Sequence, residues 1–182
     1  MNSEKLILVD ENDNITGSAG KLEVHERGLL HRAFSIFLFN SNGEMLLQQR
    51  AMGKYHSAGL WSNACCSHPL AGEETGPAVE RRLKEELGIA ATTSHAFHFL
   101  YKVEFSNGLT EHEFDHVYTG IYDGEIHFNP AEVMAVNYRG MPDIEHDLAV
   151  IPAQYTKWFH IAFPRIAEWH KHYFEKGSTL TR

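Results

Sequence analysis

Residues 72–89 read GEETGPAVERRLKEELGI, and the spacing in this stretch decides the fold. Thr75 is placed as an N-cap with Pro77 in the first turn, Val79, Leu83 and Leu87 recur every four residues, and Gly88 ends the run. A helix is predicted over about 76–87. It carries adjacent carboxylates at Glu85 and Glu86. Such oxygens are hard ligands for Mg²⁺, which completes its shell with water or substrate phosphate. The plainer alternative is a solvated helix face with an Arg81–Glu85 pair.

Outward from this helix the chain reads mainly as strands. Lys5–Val9, residues 33–40 and Met45–Arg50 are rich in strand formers, and Ser41-Asn42-Gly43-Glu44 joins the last two as a hairpin turn. Residues 97–105 and 110–122 make a second pair around Ser106-Asn107-Gly108, with a further turn at Asp123-Gly124. At 155–174, Trp158, Phe159, Ile161, Ala162, Ile166 and Trp169 alternate with charged residues, as in an amphipathic helix with a buried stripe. Repeats and linkers are absent, so residues 1–182 are taken as a single domain with an ordinary core.

A formal net charge of -8 argues against gripping nucleic acid or an anionic membrane. An anionic ligand must then be met by a local basic cluster. The start, MNSEKLILVDEN, lacks signal-peptide sections, and no apolar run approaches the roughly 20 residues needed to span a bilayer. A cytoplasmic protein is expected, monomeric or weakly dimeric, with its thiols reduced.

Its two cysteines are neighbours in NACCSHPLAGEE, residues 63–74. A disulfide between them is disfavoured, because adjacent Cα atoms lie only about 3.8 Å apart. Cys66 and His68, two apart, share one face if the stretch is extended, and Cys65 faces the other way into the core. Of 13 histidines, His95, His98, His127, His160, His170 and His172 are assigned to the surface. His25, His31 and His68 stand apart through their neighbours. In LTEHEFDHVY, Glu111 and Glu113 share a strand face, which costs repulsion unless a cation or a proton lies between them. Three imidazoles and two carboxylates suit Zn²⁺, Mn²⁺ or Mg²⁺.

The 72–89 stretch resembles the Nudix signature, with Glu73 as its loop acid and Arg81, Leu83, Glu85, Glu86, Gly88 and Ile89 at matching positions. Ser67 replaces the opening glycine, and Arg82 replaces a glutamate that a hydrolase uses as a metal ligand. Together with His25, His31, WSNACCSHP from Trp61 and EHE at 111–113, the chain from about Lys21 to Trp158 closely resembles type I isopentenyl-diphosphate Δ-isomerases. The resemblance implies an α+β fold, a Nudix-type α/β/α sandwich with a mixed central sheet. Its core would cover about 30–165, with the N-terminal extension contributing to the site.

By matched position, the resemblance makes His25, His31, His68, Glu111 and Glu113 ligands of a buried divalent metal (Mn²⁺, Zn²⁺ or Mg²⁺). Glu86 would help hold Mg²⁺ against a substrate diphosphate, bound by Lys21, Arg50, Lys54 and Arg82. The implied reaction interconverts isopentenyl and dimethylallyl diphosphate through a tertiary carbocation. One group must donate a proton and another accept one. Glu113, helped by Tyr101, is expected to donate and Cys66 to accept in the forward direction, with Trp158 stabilising the cation through its ring. Two other classes stay open: a Nudix pyrophosphohydrolase acting on a nucleoside diphosphate derivative, and a metal-binding protein without catalysis.

Overall fold

The structure, a computed structural model, describes residues 4–54 and 56–177. In chain order its elements are β1 (Lys5–Val9), β2 (Ile15–Gly20), α1 (Lys21–Arg27), β3 (His31–Phe39), β4 (Met45–Arg50), β5 (Trp61–Asn63), β6 (Cys65–Ser67), α2 (Thr75–Leu87), β7 (Thr93–Glu104), β8 (Thr110–Ile121), β9 (Val133–Arg139), α3 (Met141–Val150) and α4 (Lys157–Gly177). A 3₁₀ turn at Pro152–Gln154 precedes α4.

β3 is the axis of the sheet. Its sequence HRAFSIFLF is almost continuously apolar, the pattern of a strand covered on both faces. One edge pairs in parallel with β8, from His31 opposite Glu113 to Phe39 opposite Ile121. The other edge meets three strands in succession: β1 at His31, β6 at residues 34–36 and β4 at Phe39. β7 extends the sheet beyond β8, and β4 carries β5 and β9.

Alternation along β3 assigns one helix to each face. Phe34, Ile36 and Leu38 pack with Ala78, Val79, Leu83 and Leu87 of α2, whereas Phe37 and Phe39 pack with Phe159, Ala162 and Ile166 of α4. The result is the expected single-domain α+β sandwich with a mixed sheet between helices. Gly88 closes α2 at φ +67°, where its N–H reaches the Leu83 and Lys84 carbonyls. A Cβ at this position would fall 2.4 Å from the His127 carbonyl oxygen, so only glycine fits.

Several expectations are corrected. Thr75 is the first helical residue rather than the N-cap; Glu74 takes that place and makes no side-chain cap bond. β7 starts at Thr93, four residues before Phe97, because cross-strand pairing with β8 carries it that far. The C-terminal helix begins at Lys157, since Tyr155 bridges to Trp61 and donates its hydroxyl to Asp147. His170 is no plain surface residue: it packs on Phe39 and donates Nε2–H to the Gly43 carbonyl. Unforeseen elements such as α1, β5 and β6 are seven residues or fewer and are held by tertiary pairing, not by local periodicity. No helix among the described residues is long and apolar enough to cross a membrane.

Candidate active site

The β3–β8 register sets His31 directly beside Glu113. α1 supplies His25, whose Nδ1 lies 2.6 Å from the Lys21 carbonyl one turn earlier. His31 Nδ1 similarly lies 2.9 Å from the Leu29 carbonyl. A carbonyl only accepts, so both rings carry a proton on Nδ1 and turn Nε2 inward. His68 follows β6, and the three ring centroids lie 4.9–5.6 Å apart. His25, His31, His68 and Glu111 each bring one ligand atom within 4.8 Å of the others. Glu113 joins them through Oε1, 2.9 Å from His68 Nε2 and 3.6 Å from His31 Nε2.

The donor chemistry fits a divalent cation. His31 Nε2 is buried without a hydrogen-bond partner, an arrangement that costs free energy unless a cation satisfies it. Burial alone would raise the Glu111 pKa, yet the imidazoles of His25 and His56 at its oxygens hold its carboxyl well below the usual range. Burial pushes His68 down to about 4, so it stays neutral and able to bind metal at physiological pH.

A pH dependence follows. Between about 6.5, where the unfolded histidine takes up a proton, and about 4, where the folded one does, the unfolded chain binds more protons at His68. Stability due to this group is therefore present above 6.5 and lost as pH falls. The melting temperature of metal-free protein should drop across this window, less so in His68→Gln, and added Mn²⁺ or Zn²⁺ should raise it most above pH 6.5. A flat profile without metal would contradict this account.

Beside the cluster lies a cavity whose lining includes His68, Glu111, Glu113, Cys66, Tyr101 and Trp158. His25 and His31 stand behind it, almost fully buried. Tyr101 donates its hydroxyl to Glu113 Oε2 at 2.6 Å, completing that carboxylate's partners. The two cysteines are unbridged and part company: Cys65 is sealed against the α2 face, while Cys66 faces the cavity. Burial pushes the Cys66 thiol up to about 12, and the nearby Asp115 carboxylate adds to the shift.

A buried polar relay ties Cys66 to Trp158. Trp158 Nε1 donates to Ser62 Oγ at 2.9 Å, Ser62 donates to Asn63 Oδ1 at 3.0 Å, and the Cys66 thiol donates to the same oxygen at 3.0 Å. The Asn63 amide nitrogen is committed to the Ile36 and Cys65 carbonyls, so its oxygen must face the thiol. Asn63→Ala should misplace Cys66. If the Cys66 thiol takes part in a reaction, kcat should fall by about tenfold or more with little change in KM, since a small misplacement of a reacting group is enough to slow its step; a changed KM with intact kcat would count against this role.

Lys21, Arg50, Lys54 and Arg82 line the same cavity, with Glu86 among them. The Nε atoms of Arg50 and Arg82 are buried and lack hydrogen-bond partners, as suits an anion-binding end. Arg82 pairs with Glu85 and Glu86 on its own helix, and Gln48 donates to Glu86 at 3.2 Å. Lys54 pairs with Glu132, and the Arg50 guanidinium lies 5.1 Å from the Trp158 ring centre. Arg81, whose pairing with Glu85 was foreseen, also grips the loop acid Glu73 through two nitrogens.

Four neighbours of the site escaped the sequence reading: His56, Asn63, Asp115 and Glu132. His56 Nε2 lies 2.9 Å from Glu111 Oε1, and its ring stacks on Phe105. Asp115 is fully buried and accepts the Ser35 hydroxyl at 2.7 Å. As the third odd-numbered acid of EHEFD, Asp115 had a visible signal in its spacing, whereas His56 and Glu132 reach the site from loops that carry none.

Residues 29–159 match the NUDIX domain family. The chain is 47% identical over 165 residues to an isopentenyl-diphosphate Delta-isomerase of Pectobacterium atrosepticum, covering 91% of this chain and 92% of that one. It is 48% identical over 156 residues to the Serratia proteamaculans protein of the same name, covering 86% and 87%. Among solved structures, DR0079 from Deinococcus radiodurans matches with a TM-score of 0.72 at 23% identity, over 89% of this chain and 98% of that one. The Escherichia coli dihydroneopterin triphosphate pyrophosphohydrolase matches at 0.55 and 16% identity, over 73% and 92%. The structural likenesses establish the fold alone; the domain match and the sequence identities mean that this chain belongs to the isopentenyl-diphosphate Delta-isomerase family of NUDIX-domain proteins.

Proposed function

We propose that the protein interconverts isopentenyl and dimethylallyl diphosphate. One observation carries the reading: a thiol, a tyrosine-bonded carboxylate and four cationic side chains line a single cavity. β6 and β8 pair with opposite edges of β3, so Cys66 and Glu113 approach from its two sides, as separate proton donor and acceptor should. Arg82 stands where a NUDIX hydrolase would have an acid and is paired with Glu86, which disfavours water activation.

In the forward direction Glu113, beside Tyr101, gives its proton to the terminal alkene carbon. Cys66 as thiolate then takes one from the carbon next to the diphosphate-bearing one, and the double bond moves between them. Each forward turnover ends with sulfur protonated and Glu113 ionised. Burial favours the protonated sulfur and the imidazoles of His31 and His68 favour the ionised Glu113, and the pair resets by exchange with solvent. Lys21, Arg50, Lys54 and Arg82 hold the diphosphate. His25, His31, His68, Glu111 and Glu113 would hold one divalent metal, and Glu86 would share a Mg²⁺ with the substrate. Bound metal supplies positive charge that neutralises phosphate and fixes the carboxylates.

Incubation of the purified protein with isopentenyl diphosphate and Mg²⁺ in D₂O tests the reading. Dimethylallyl diphosphate carrying deuterium is expected; absence of isomer and label with metal present, or release of phosphate instead, overturns it.

Trp158 borders both the cavity and the α4-side core. A desolvated cation–π contact is worth about 2 kcal/mol, close to thirtyfold in rate. Trp158→Phe should therefore keep measurable turnover and Trp158→Ala very little. Equal activity in both would remove the ring from the mechanism.

A further inference from the structure

We propose that His56 is a positioning residue for the metal cluster: its ring holds Oε1 of Glu111, so that Oε2 is the oxygen offered to a cation. The two carboxylates of the cluster share one pattern. Glu113 turns Oε1 to His31 and His68 and has Oε2 capped by the Tyr101 hydroxyl at 2.6 Å. Glu111 turns Oε2 to His25 Nε2 at 3.1 Å, and Nε2 of His56 lies 2.9 Å from Oε1. A carboxylate only accepts, so His56 carries a proton on that nitrogen. A protonated nitrogen cannot ligate, and His56 stands outside the group of His25, His31, His68 and Glu111 whose ligand atoms converge. His56 therefore does for Glu111 what Tyr101 does for Glu113.

The ring is placed for that task. It stacks on Phe105 with centroids 4.7 Å apart and planes at 18°, and it meets the Trp158 ring at 5.6 Å and 86°. The loop that carries it is tied at both ends. The Gly59 N–H donates to the Arg50 carbonyl at 3.1 Å, and Gln49 Nε2 donates to the Gly59 carbonyl at 2.9 Å. Arg50 Nη2 reaches the carbonyl of His56 itself at 3.3 Å. His56 and Glu111 are both buried. An oxygen of Glu111 that lost its donor would be left short of partners, and the carboxylate would be free to turn. Hydrogen bonds to a ligating carboxylate from the layer behind it set the affinity of a metal site as well as its shape.

This role rests on the reading of the cluster as a metal site, and titration of chelator-stripped protein with Mn²⁺, without diphosphate, tests the two separately. The wild type should bind Mn²⁺; failure to bind would remove the metal site and this role with it. His56→Phe keeps a ring against Phe105 and Trp158 but cannot donate. Its Mn²⁺ affinity should fall by about 10- to 100-fold, while the metal-free protein melts close to wild type. His56→Gln, whose amide offers a donor at similar reach, should recover much of that loss. His56→Ala, which opens space instead of filling it, should show the same loss and serves if His56→Phe does not fold. Wild-type affinity in either of the variants without a donor overturns the proposal. Equal losses in His56→Gln and His56→Phe overturn it too, because the donor would then not be what matters.

Discussion

Cys66→Ala should leave a folded protein that scarcely isomerises. A positioned acid or base contributes about 10² to 10⁴ in rate, so a loss of at least a thousandfold is expected. The fold should survive, because the thiol makes only its bond to Asn63 and a long contact to Ser35, of which about 1 kcal/mol is at stake. Its neighbour provides the control. Cys65 is fully buried among the α2-side apolar residues. Cys65→Ser should therefore lower the melting temperature, because a polar hydroxyl replaces a thiol packed among apolar side chains, while leaving kcat within a few fold. Turnover by Cys66→Ala within tenfold of wild type would end the proton-transfer assignment, and matching kinetic losses at the two positions would show that the pair is misread.

Glu113→Gln should be at least as damaging, for a double reason. The carboxylate faces His31 and His68 with one oxygen and accepts from Tyr101 with the other. Glutamine keeps the size but offers neither a transferable proton nor an anionic ligand. Turnover should fall by about 10³ or more, and the rise in melting temperature caused by Mn²⁺ should shrink. The metal-free variant should lose some stability, because burial and Glu111 oppose the charge of Glu113 but His31 and His68 outweigh them and hold its carboxyl below the usual range, an interaction the neutral amide gives up. Tyr101→Phe, which removes only a hydrogen bond to Glu113, should be milder. Wild-type turnover in the Glu113→Gln variant would leave Cys66 without its partner.

The legible parts of the sequence were those with local periodicity. α2 showed itself through Val79, Leu83, Leu87 and Gly88, and β4 through its turn and alternation, because each is specified within a dozen residues. The clustered residues His25, His31, His68, Glu111 and Glu113 were visible as residue types in suggestive company. Their convergence was not, since it depends on the pairing of β3 with β8 and on a seven-residue helix too short to show a period. His56 lay beyond reach for the same reason: the loop that carries it is placed by contacts with Phe105 and Trp158, far away in sequence.

The pairing of β3 with β8 also bears on how the protein comes into being. His31 and Glu113 are neighbours in space but belong to strands on either side of α2 and β7, so their contact closes one of the longer loops in the chain. Such contacts form after the local hairpins, because the entropy of closure must be met before they reward it. During synthesis the three histidines leave the ribosome well before either carboxylate, and the cluster cannot assemble until β8 follows. A metal held by this cluster would therefore act on the finished sheet, and a chain stopped before Thr110 would carry the histidines without the fold that gathers them.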